Sequence, residues 1–308
     1  MRVLGYSGRD DIARVYVADI NGKCIEFVEA FGKGGLKEKW VIIVSTLFGC
    51  PVKCKMCDAC GSYSGKMSAD EIMKQIDFLV ALRFKDRRVD VKKWKIQFAR
   101  MGEPAFNDAV LDVLLELVKR YNYENIIPSI STIAPAGRNA FFDRLLKIKK
   151  DLYKNSFQLQ FSIHTTNENF RNWLIPVKKW GFKEIALYGK EFYDPEGKKV
   201  TLNFAVSSKI PVDVKIIEKH FSPDAFLIKL TPVNPSLNAV VNNLLDPDFE
   251  KLYELATRFR EVGFEVIVSI GELEENKIGS NCGLYINAIK NHNSSVIESY
   301  QYPILKFD

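Results

Sequence analysis

The chain has 308 residues, a hydrophobic fraction of 47% and a formal net charge of +6 at pH 7. These values are ordinary for a globular protein with a sizeable core, and the charge permits a polyanionic partner without requiring one. Because no apolar run approaches ~20 residues and the first residues do not resemble a signal peptide, we expect a cytoplasmic protein with no membrane partner.

Alternating apolar and polar residues near the start of the chain predict a β-hairpin. Asn21-Gly22 separates the alternating runs 15–20 and 24–29, and this dipeptide between such runs is a strong hairpin signal. A glycine-rich basic stretch follows. It leads into the apolar run 40–46, which we expect to be a buried strand.

Beyond residue 60, predicted helices alternate with predicted strands. Ser68 and Glu71 form a capping box at the start of one helix, and Asp246-Pro247 has the pattern of an N-cap followed by a first helical residue. The predicted strands are 94–101, 126–132, 157–164, 200–206, 226–233 and 264–270. The predicted helices are 68–83, 108–120, 139–149, 169–173, 183–187 and 246–262.

This alternation is typical of βαβ units with a parallel sheet. The predicted fold class is therefore α/β, a partial (β/α)6 TIM-like barrel with a small N-terminal β-hairpin extension. We expect the hairpin extension to span residues 1–39, the barrel with a C-terminal loop at Cys282 to span 40–290, and a tail to span 291–308.

Four of the six cysteines follow the first barrel strand, at positions 50, 54, 57 and 60. The spacing C-x3-C-x2-C of Cys50, Cys54 and Cys57 favours a compact thiophilic centre, and iron–sulfur clusters are bound in this way. A four-cysteine zinc site normally uses two separated knuckles, and no second C-x2-C occurs downstream. Cys54, Cys57 and Cys60 also resemble a ferredoxin run, but the expected continuation is absent. We interpret Cys60 as a neighbour of the cluster.

Function in such barrels lies at the carboxyl ends of the strands. This rule selects the cysteine loop and a set of polar or close-approach residues that should face the same opening. Each of them alone is a common turn or strand-end residue. They are Gly102, Glu103, Ser131, Ser162, Ile163, His164 and Asn234.

The cysteine spacing directly after a strand resembles the radical S-adenosylmethionine (SAM) superfamily. The ordered segments 98–107, 129–132, 161–168, 230–235 and 280–284 further resemble the ribosomal RNA adenine methyltransferases of the RlmN/Cfr type. The resemblance implies a 4Fe-4S cluster on Cys50, Cys54 and Cys57. It also implies that SAM is bound by Gly102, Glu103, Ser131, Ser162, Ile163, His164 and Asn234.

The same resemblance implies two catalytic residues. Cys282 falls on the cysteine that is methylated and carries the methylene group, and Glu29 falls on the carboxylate proposed as proton acceptor. The implied partners are an RNA substrate and a one-electron donor such as flavodoxin or ferredoxin. Without the resemblance, Glu29 is only a polar strand residue and Cys282 a small apolar one.

Two departures from the RlmN/Cfr pattern concern the substrate and the release of product. The family's resolving cysteine stands seven residues before the first cluster cysteine, where this chain has Ile43. Isoleucine cannot attack a disulfide or a thioether adduct, although Cys60 or Cys24 are alternative thiols. We also expect the chain to lack the helical accessory domain that precedes the hairpin in the family.

Three functional hypotheses follow. The first is a methyl- or methylene-transferring radical SAM enzyme that acts on an RNA adenine through Cys282. The second is a radical SAM enzyme with a small-molecule or peptide substrate, in which Cys282 acts differently, for instance as a hydrogen donor. The third is a non-catalytic iron–sulfur protein that carries electrons and binds no SAM.

Overall fold

A computed structural model describes residues 1–59, 63–121, 126–245, 248–270, 273–280 and 301–307. Within these ranges, one continuous sheet of eleven strands carries the fold, in the order β10-β9-β8-β7-β6-β5-β4-β3-β2-β1-β11. The strands are β1 Arg2–Arg9, β2 Ala13–Ile20, β3 Lys23–Phe31, β4 Trp40–Val44, β5 Trp94–Phe98, β6 Ile126–Thr132, β7 Gln158–Ser162, β8 Val200–Val206, β9 Phe226–Pro232, β10 Glu265–Val268 and β11 Leu305–Lys306.

The sheet has a parallel part and an antiparallel part. Strands β4 to β10 pair in parallel with their neighbours, whereas β1, β2, β3 and β4 pair antiparallel. The predicted α/β class, with a parallel sheet and an antiparallel N-terminal hairpin, is confirmed. The sequence pattern did not predict β1 or β11, which pair with each other at the outer edge of the sheet.

Helices connect successive parallel strands in the described part of the chain, and one further helix follows β10. They are α1 Ala69–Arg83, α2 Ala109–Arg120, α3 Asn139–Ile148, α4 Glu168–Leu174, α5 Phe182–Phe192, α6 Val214–His220, α7 Leu237–Val241, α8 Phe249–Glu261 and α9 Leu273–Ile278. A π-helical turn, Lys149–Tyr153, follows α3. The sequence pattern did not predict α6, α7 or α9. No described helix has the length and apolar character needed to cross a membrane.

The capping signals explain where two of these helices begin. Ser68 and Glu71 form the predicted capping box of α1. The predicted start of α8 is wrong, because α8 begins at Phe249 and its N-cap is Asp248, whose side chain accepts from the Lys251 N–H. Asp246 and Pro247 lie outside the described residues. A chain with two aspartates two positions apart offers two N-caps, and sequence alone does not choose between them.

Along each strand the side chains alternate between the two faces of the sheet, and residues in register on neighbouring strands share a face. In the parallel part of the sheet, one face is mainly apolar and the other is polar. The helix-facing side of β4 and β5 carries apolar side chains, and Trp40 stacks there on Trp94 with ring centroids 5.6 Å apart. The other side is polar, and the Gln160 Nε2 donates to the Ser129 Oγ at 3.0 Å. Ser129 and Gln160 are buried, whereas Gln97, Ser131 and Asn203 on the same strands are half-buried, so the interior of the barrel suits a polar ligand.

The carboxyl end of β4 is fixed by a buried glutamine of α1. The Gln75 side chain accepts from the Ser45 N–H at 2.9 Å and donates to the Ser45 carbonyl at 3.0 Å. Both Ser45 and Gln75 are completely buried. The strand therefore ends with its backbone groups satisfied, which fixes the direction in which the chain enters the cysteine loop.

Candidate functional site

The cysteine loop is closed at its base by a short antiparallel pairing. The Phe48 N–H donates to the Gly65 carbonyl at 3.0 Å, and the Ser64 N–H donates to the Phe48 carbonyl at 2.8 Å. Inside the loop, Lys53 adopts a positive φ of 60°. This left-handed residue reverses the chain between the first two cysteines.

The three predicted cluster ligands lie half-buried on this loop. They are Cys50, Cys54 and Cys57. The Cys57 N–H donates to the Cys54 carbonyl at 3.2 Å, so the last two belong to one turn. All three pack against the apolar core, and Cys60 lies outside the described residues.

A segment far along the chain clamps the cysteine loop. Asp58 is 2% exposed, and its carboxylate accepts from the N–H groups of Leu237 and Asn238, each at 2.9 Å. The Asn238 side chain donates to the Cys57 carbonyl at 2.9 Å, and the Ser236 hydroxyl donates to the Met56 carbonyl at 2.9 Å. The backbone around Cys57 is therefore fixed by the start of α7.

The chemistry of the donor set fits an iron–sulfur cluster. Cys50, Cys54 and Cys57 lie on one loop, and cysteine thiolates are the usual ligands of such clusters. The apolar surroundings of the thiols also match the partly buried environment of such clusters.

The loop after β5 crosses the end of β4 next to the cysteines. The N–H groups of Thr46 and Leu47 donate to the Met101 carbonyl at 2.9 and 3.1 Å. Gly102 follows with a φ of +96°, and a Cβ at this position would lie 2.5 Å from the Leu47 side chain. Only glycine permits this close crossing, so the sequence Gly102-Glu103 is dictated by backbone geometry.

Glu103 is a buried carboxylate with several donors. Its Oε1 accepts from the Thr132 hydroxyl at 2.5 Å and from the Ala105 N–H at 3.0 Å, and its Oε2 accepts from the Ile133 N–H at 2.9 Å. Burial raises the pKa of Glu103 to about 7, while these three hydrogen bonds act in the opposite direction. Three bonds leave acceptor capacity on the carboxylate, and a cation placed there would stabilise its ionised form.

His164 follows β7 in a strained backbone conformation with a φ of 62°. Its Nδ1 accepts from the Ala205 N–H at 3.2 Å. Burial, and secondly the charge of Arg171, lower the pKa of His164 to about 3. The imidazole is therefore neutral near pH 7, and its Nε2 carries the proton.

The other predicted SAM-binding residues lie at the same strand ends. Ile163 is fully buried, and Ser162 is half-buried at the end of β7 beside Asn203. Ser131 is half-buried and accepts from the Gln97 side chain at 3.4 Å. Asn234 lies half-buried directly after β9, two residues before the clamp residue Ser236. Their assignment to SAM stays a prediction.

The structure does not bring Glu29 to the cysteine loop. Glu29 is fully buried on the helix-facing side of the sheet, opposite Ile42. Its carboxylate accepts from Tyr16 at 2.6 Å, from the Trp40 indole at 3.1 Å and from Arg83, the last residue of α1, at 2.6 and 3.0 Å. These contacts make Glu29 a buried partner of Arg83 near the beginning of β4, and its catalytic role stays a prediction from the resemblance.

A second buried ion pair lies on the opposite side of β3. Glu26 is fully buried and binds Arg100 at 2.7 Å. The Arg100 guanidinium also donates to the carbonyls of Gly279 and Ser280, at 3.0 and 3.1 Å. The pair thus anchors the backbone two residues before Cys282, which itself lies outside the described residues.

Several residues at the site were missed by sequence reasoning. Thr132, next to the predicted Ser131, is the residue that binds Glu103. Asp58 and Asn238 form the clamp, although nothing in their sequence surroundings marks them as partners across 180 residues. The one available signal was the position of Asp58 directly after Cys57. If that carboxylate is buried, it needs hydrogen-bond donors from another segment.

Several curated proteins resemble this chain at low sequence identity. A dual-specificity RNA methyltransferase RlmN from Sulfurovum sp. is 24% identical over 258 residues, which are 79% of this chain and 68% of the relative. A second RlmN, from Nautilia profundicola, is 26% identical over 264 residues, covering 81% and 72%. A probable RlmN from Caldicellulosiruptor saccharolyticus is 24% identical over 288 residues, covering 89% and 78%. No protein-family model matches.

A solved structure shares the fold. A radical SAM methyltransferase from Sphaerobacter thermophilus superposes with a TM-score of 0.66, covering 87% of this chain and 77% of that protein at 18% sequence identity. At this identity the match concerns the arrangement of strands and helices. It agrees with the partial barrel and with the N-terminal antiparallel strands described above.

Asp58→Asn should loosen the cysteine loop. One carboxylate oxygen becomes an NH2 group that faces a buried backbone N–H, at a cost of about 1–3 kcal/mol. We expect Cys54 and Cys57 of the iron-free variant to react with iodoacetamide about 10-fold faster or more than in the wild type. Asp70→Asn, which alters the exposed pair with Lys74, is the control. Equal alkylation rates in both variants would show that Asp58 does not hold the loop.

Proposed function

Because this chain is a member of the radical SAM superfamily of enzymes and a distant homologue of the RlmN proteins, we propose that it transfers a methyl or methylene group to an adenine in RNA. The observation that carries the proposal is the juxtaposition of two loops at one end of the barrel. The cysteine loop and the Gly102-Glu103 loop cross there with backbone hydrogen bonds between residues 46–47 and 101.

Cys50, Cys54 and Cys57 would hold a four-iron cluster. When bound, such a cluster supplies the electron for reductive cleavage of SAM, and a donor such as flavodoxin or ferredoxin would replenish that electron. The protein's own contribution is to keep the thiols partly buried on a fixed loop. The Asp58 clamp supports this, because a rigid loop presents its ligands with less loss of conformational entropy.

Residues on the other strand ends would hold SAM beside the cluster. The Glu103 carboxylate suits the ammonium group, and the close backbone at Gly102 leaves room for it. The neutral His164 ring and the half-buried Ser131, Ser162 and Asn234 offer hydrogen bonds without adding charge. Ile163 adds apolar surface at the same place. A cationic imidazole there would repel the sulfonium, and the low pKa of His164 prevents this.

Cys282 would carry the transferred carbon. Its neighbours Gly279 and Ser280 are held by Arg100, which itself follows β5 directly before the Gly102-Glu103 loop. The net charge of +6 and the RNA methyltransferase names of the curated relatives support RNA as the substrate. The proton acceptor proposed by resemblance is Glu29.

A second candidate function is favoured by one observation. Ile43, which stands where the resemblance expects a resolving cysteine, is half-buried on β4 opposite Val28. Without a resolving thiol, an enzyme that forms a covalent adduct cannot release it by disulfide formation. A small-molecule or peptide substrate, with Cys282 as a hydrogen donor, avoids that requirement.

Glu103→Gln and Asn234→Ala should weaken SAM binding while the protein retains its iron. Hydrogen bonds to charged groups are worth roughly 1.5–3 kcal/mol, so we expect a ~10–100-fold loss of affinity by anaerobic calorimetry. Glu116→Ala, on the exposed face of α2, is the control and should bind normally. Unchanged affinity in both site variants would place the SAM site elsewhere.

The same carboxylate predicts a pH dependence of SAM binding. The ammonium requires ionised Glu103, whose pKa is about 7, while an α-amino group titrates near 7.7–8.0. Affinity should therefore fall as the pH decreases below 7, by up to about 10-fold per pH unit. In Glu103→Gln the affinity for SAM should no longer fall below pH 7. If it falls there as strongly as in the wild type, a group other than Glu103 causes the pH dependence.

Wild-type protein incubated with SAM should gain the mass of one methyl group in place of one hydrogen on Cys282. Intact-mass analysis of the wild type, Cys282→Ala and the thiol control Cys24→Ala checks this. We expect the gain in the wild type and in Cys24→Ala only, and methylated adenine from RNA with the wild type. A Cys282→Ala protein that still methylates RNA would contradict the methyl-carrier role. No gain in any of the three would favour the small-molecule or peptide alternative.

A further inference from the structure

A cavity of about 200 Å³ lies between α4 and the beginning of α5. Arg171, Lys179, Trp180 and Gly181 are among the residues that line it, together with Asn172, Glu168 and Phe182. Helix α4, which forms one wall of the cavity, contacts the cysteine loop at its end, where the Lys55 N–H donates to the Leu174 carbonyl at 2.9 Å. None of the residues lining the cavity is among the cluster or SAM residues assigned above.

Arg171 is a buried cation with unsatisfied donors. It is 5% exposed, and its Nη1 donates to the Trp180 carbonyl at 2.8 Å. Its guanidinium carbon lies 5.4 Å from the centroid of the Phe182 ring, but its Nε and Nη2 are buried and have no hydrogen-bond partner among the described residues. Burying a charge without a partner is costly, so the guanidinium calls for an acceptor that carries negative charge.

The other groups around the cavity add positive potential. Lys179 donates all three of its ammonium hydrogens to neutral oxygens, those of Asn172, Ile175 and Val177. Burial, and secondly the charge of Arg171, lower the pKa of Lys179 to about 8. The two cations repel each other, and an anion between them would relieve that repulsion. Glu168 also borders the cavity, on its exposed rim, and acts in the opposite direction.

A helix N-terminus points to the same place. The eleven-residue helix α5 begins after Gly181, which has no side chain to cap it. The first N–H groups of a helix lack acceptors within the helix and carry partial positive charge, so they favour oxyanions. The Gly181 N–H itself is satisfied by the Glu184 carboxylate at 2.8 Å.

We propose that this cavity binds one phosphate group, through the Arg171 guanidinium and the first turn of α5. The phosphate comes either from the backbone of an RNA substrate or from a free or small-molecule phosphate. The RNA source rests on the proposed function, whereas the site itself does not. An RNA strand held there would pass beside the cysteine loop, so the site would orient the strand at the barrel mouth.

Inorganic phosphate tests the site independently of any catalytic activity. It should raise the melting temperature of the wild-type protein saturably, and the apparent affinity should fall about 10–100-fold in Arg171→Met. Arg144→Met, which removes an exposed guanidinium paired with Asp112, is the matched control and should respond as the wild type does. An equal phosphate response in Arg171→Met, or none in the wild type, would overturn the proposal.

Gly181→Asp tests the same site without removing Arg171. A Cβ at Gly181 meets nothing nearer than the Glu184 carboxylate at 3.8 Å, and the backbone there is extended, as an N-cap aspartate requires. The new carboxylate should occupy the anion position, raise the melting temperature without phosphate and abolish the response to phosphate. A phosphate response that persists in Gly181→Asp would contradict the assignment even if Arg171→Met did not fold.

The salt dependence of RNA binding distinguishes the two sources of phosphate. The affinity for a short adenine-containing RNA is measured at several salt concentrations. If one backbone phosphate binds in the cavity, the slope of log affinity against log salt should be less steep by about 0.7–1 in Gly181→Asp than in the wild type. An unchanged slope, with the response to inorganic phosphate lost, would assign the cavity to a free or small-molecule phosphate. Methyl transfer to Cys282 is measured in a separate experiment. Its failure would therefore leave the response to inorganic phosphate and the salt dependence of RNA binding interpretable.

Discussion

The hydrogen bonds between the cysteine loop and the start of α7 are the contacts on which the rest of the site depends. The loop follows β4 and α7 follows β9, and four strands separate β4 from β9 in the sheet. Strands ~4.8 Å apart would hold these loops far from each other in a flat sheet. The bonds from Asp58 to Leu237 and Asn238 therefore require a strongly curved sheet, and this curvature produces the partial barrel.

Curvature also explains the distribution of polar groups. Inside the barrel, register brings Gln97, Ser129 and Gln160 onto neighbouring strands, and the Asn203 Oδ1 is buried there without a partner among the described residues. On the outer side, the strands are covered by helices and carry aromatic and aliphatic residues. A polar interior with incompletely satisfied groups is a poor source of stability and a good environment for a hydrogen-bonding ligand.

The buried charges divide into two kinds. Glu29 with Arg83, and Glu26 with Arg100, are paired within the chain and connect β3 to α1 and to the segment before Cys282. Glu103 and Arg171 are buried and form no close ion pair within the described part of the chain, although the exposed Glu168 borders the cavity of Arg171. Removing charges from water without such a pair destabilises a protein. Their retention is most simply explained by ligands of opposite charge, an ammonium for one and a phosphate for the other.

Much of the fold could be predicted from the sequence, because its signals are local. The apolar run at β4, the hairpin dipeptide Asn21-Gly22 and the capping box at Ser68 each specify structure over a few residues. The position of the cysteine loop and of Gly102-Glu103 then followed from the rule that parallel strands present their carboxyl ends together.

The rest of the site depends on contacts between distant segments. The choice of Asp248 over Asp246 as N-cap, and the pairing of Asp58 with α7, are decided by tertiary packing. The three-residue separation of Glu26 and Glu29 already places the two carboxylates on opposite sides of a strand, but only the structure shows that Glu29 binds Arg83 and Glu26 binds Arg100. The buried Arg171 likewise gave no sequence signal, since an arginine on a helix is usually exposed.

The most direct measurement is the formation of 5′-deoxyadenosine from SAM by the anaerobically reconstituted protein with dithionite as reductant. If Cys50, Cys54 and Cys57 hold the cluster beside the SAM site, the wild type and the control Cys24→Ala should form 5′-deoxyadenosine. Cys54→Ala should lose both its iron and this product. Equal product formation by Cys54→Ala, or none by an iron-loaded wild type, would contradict the account.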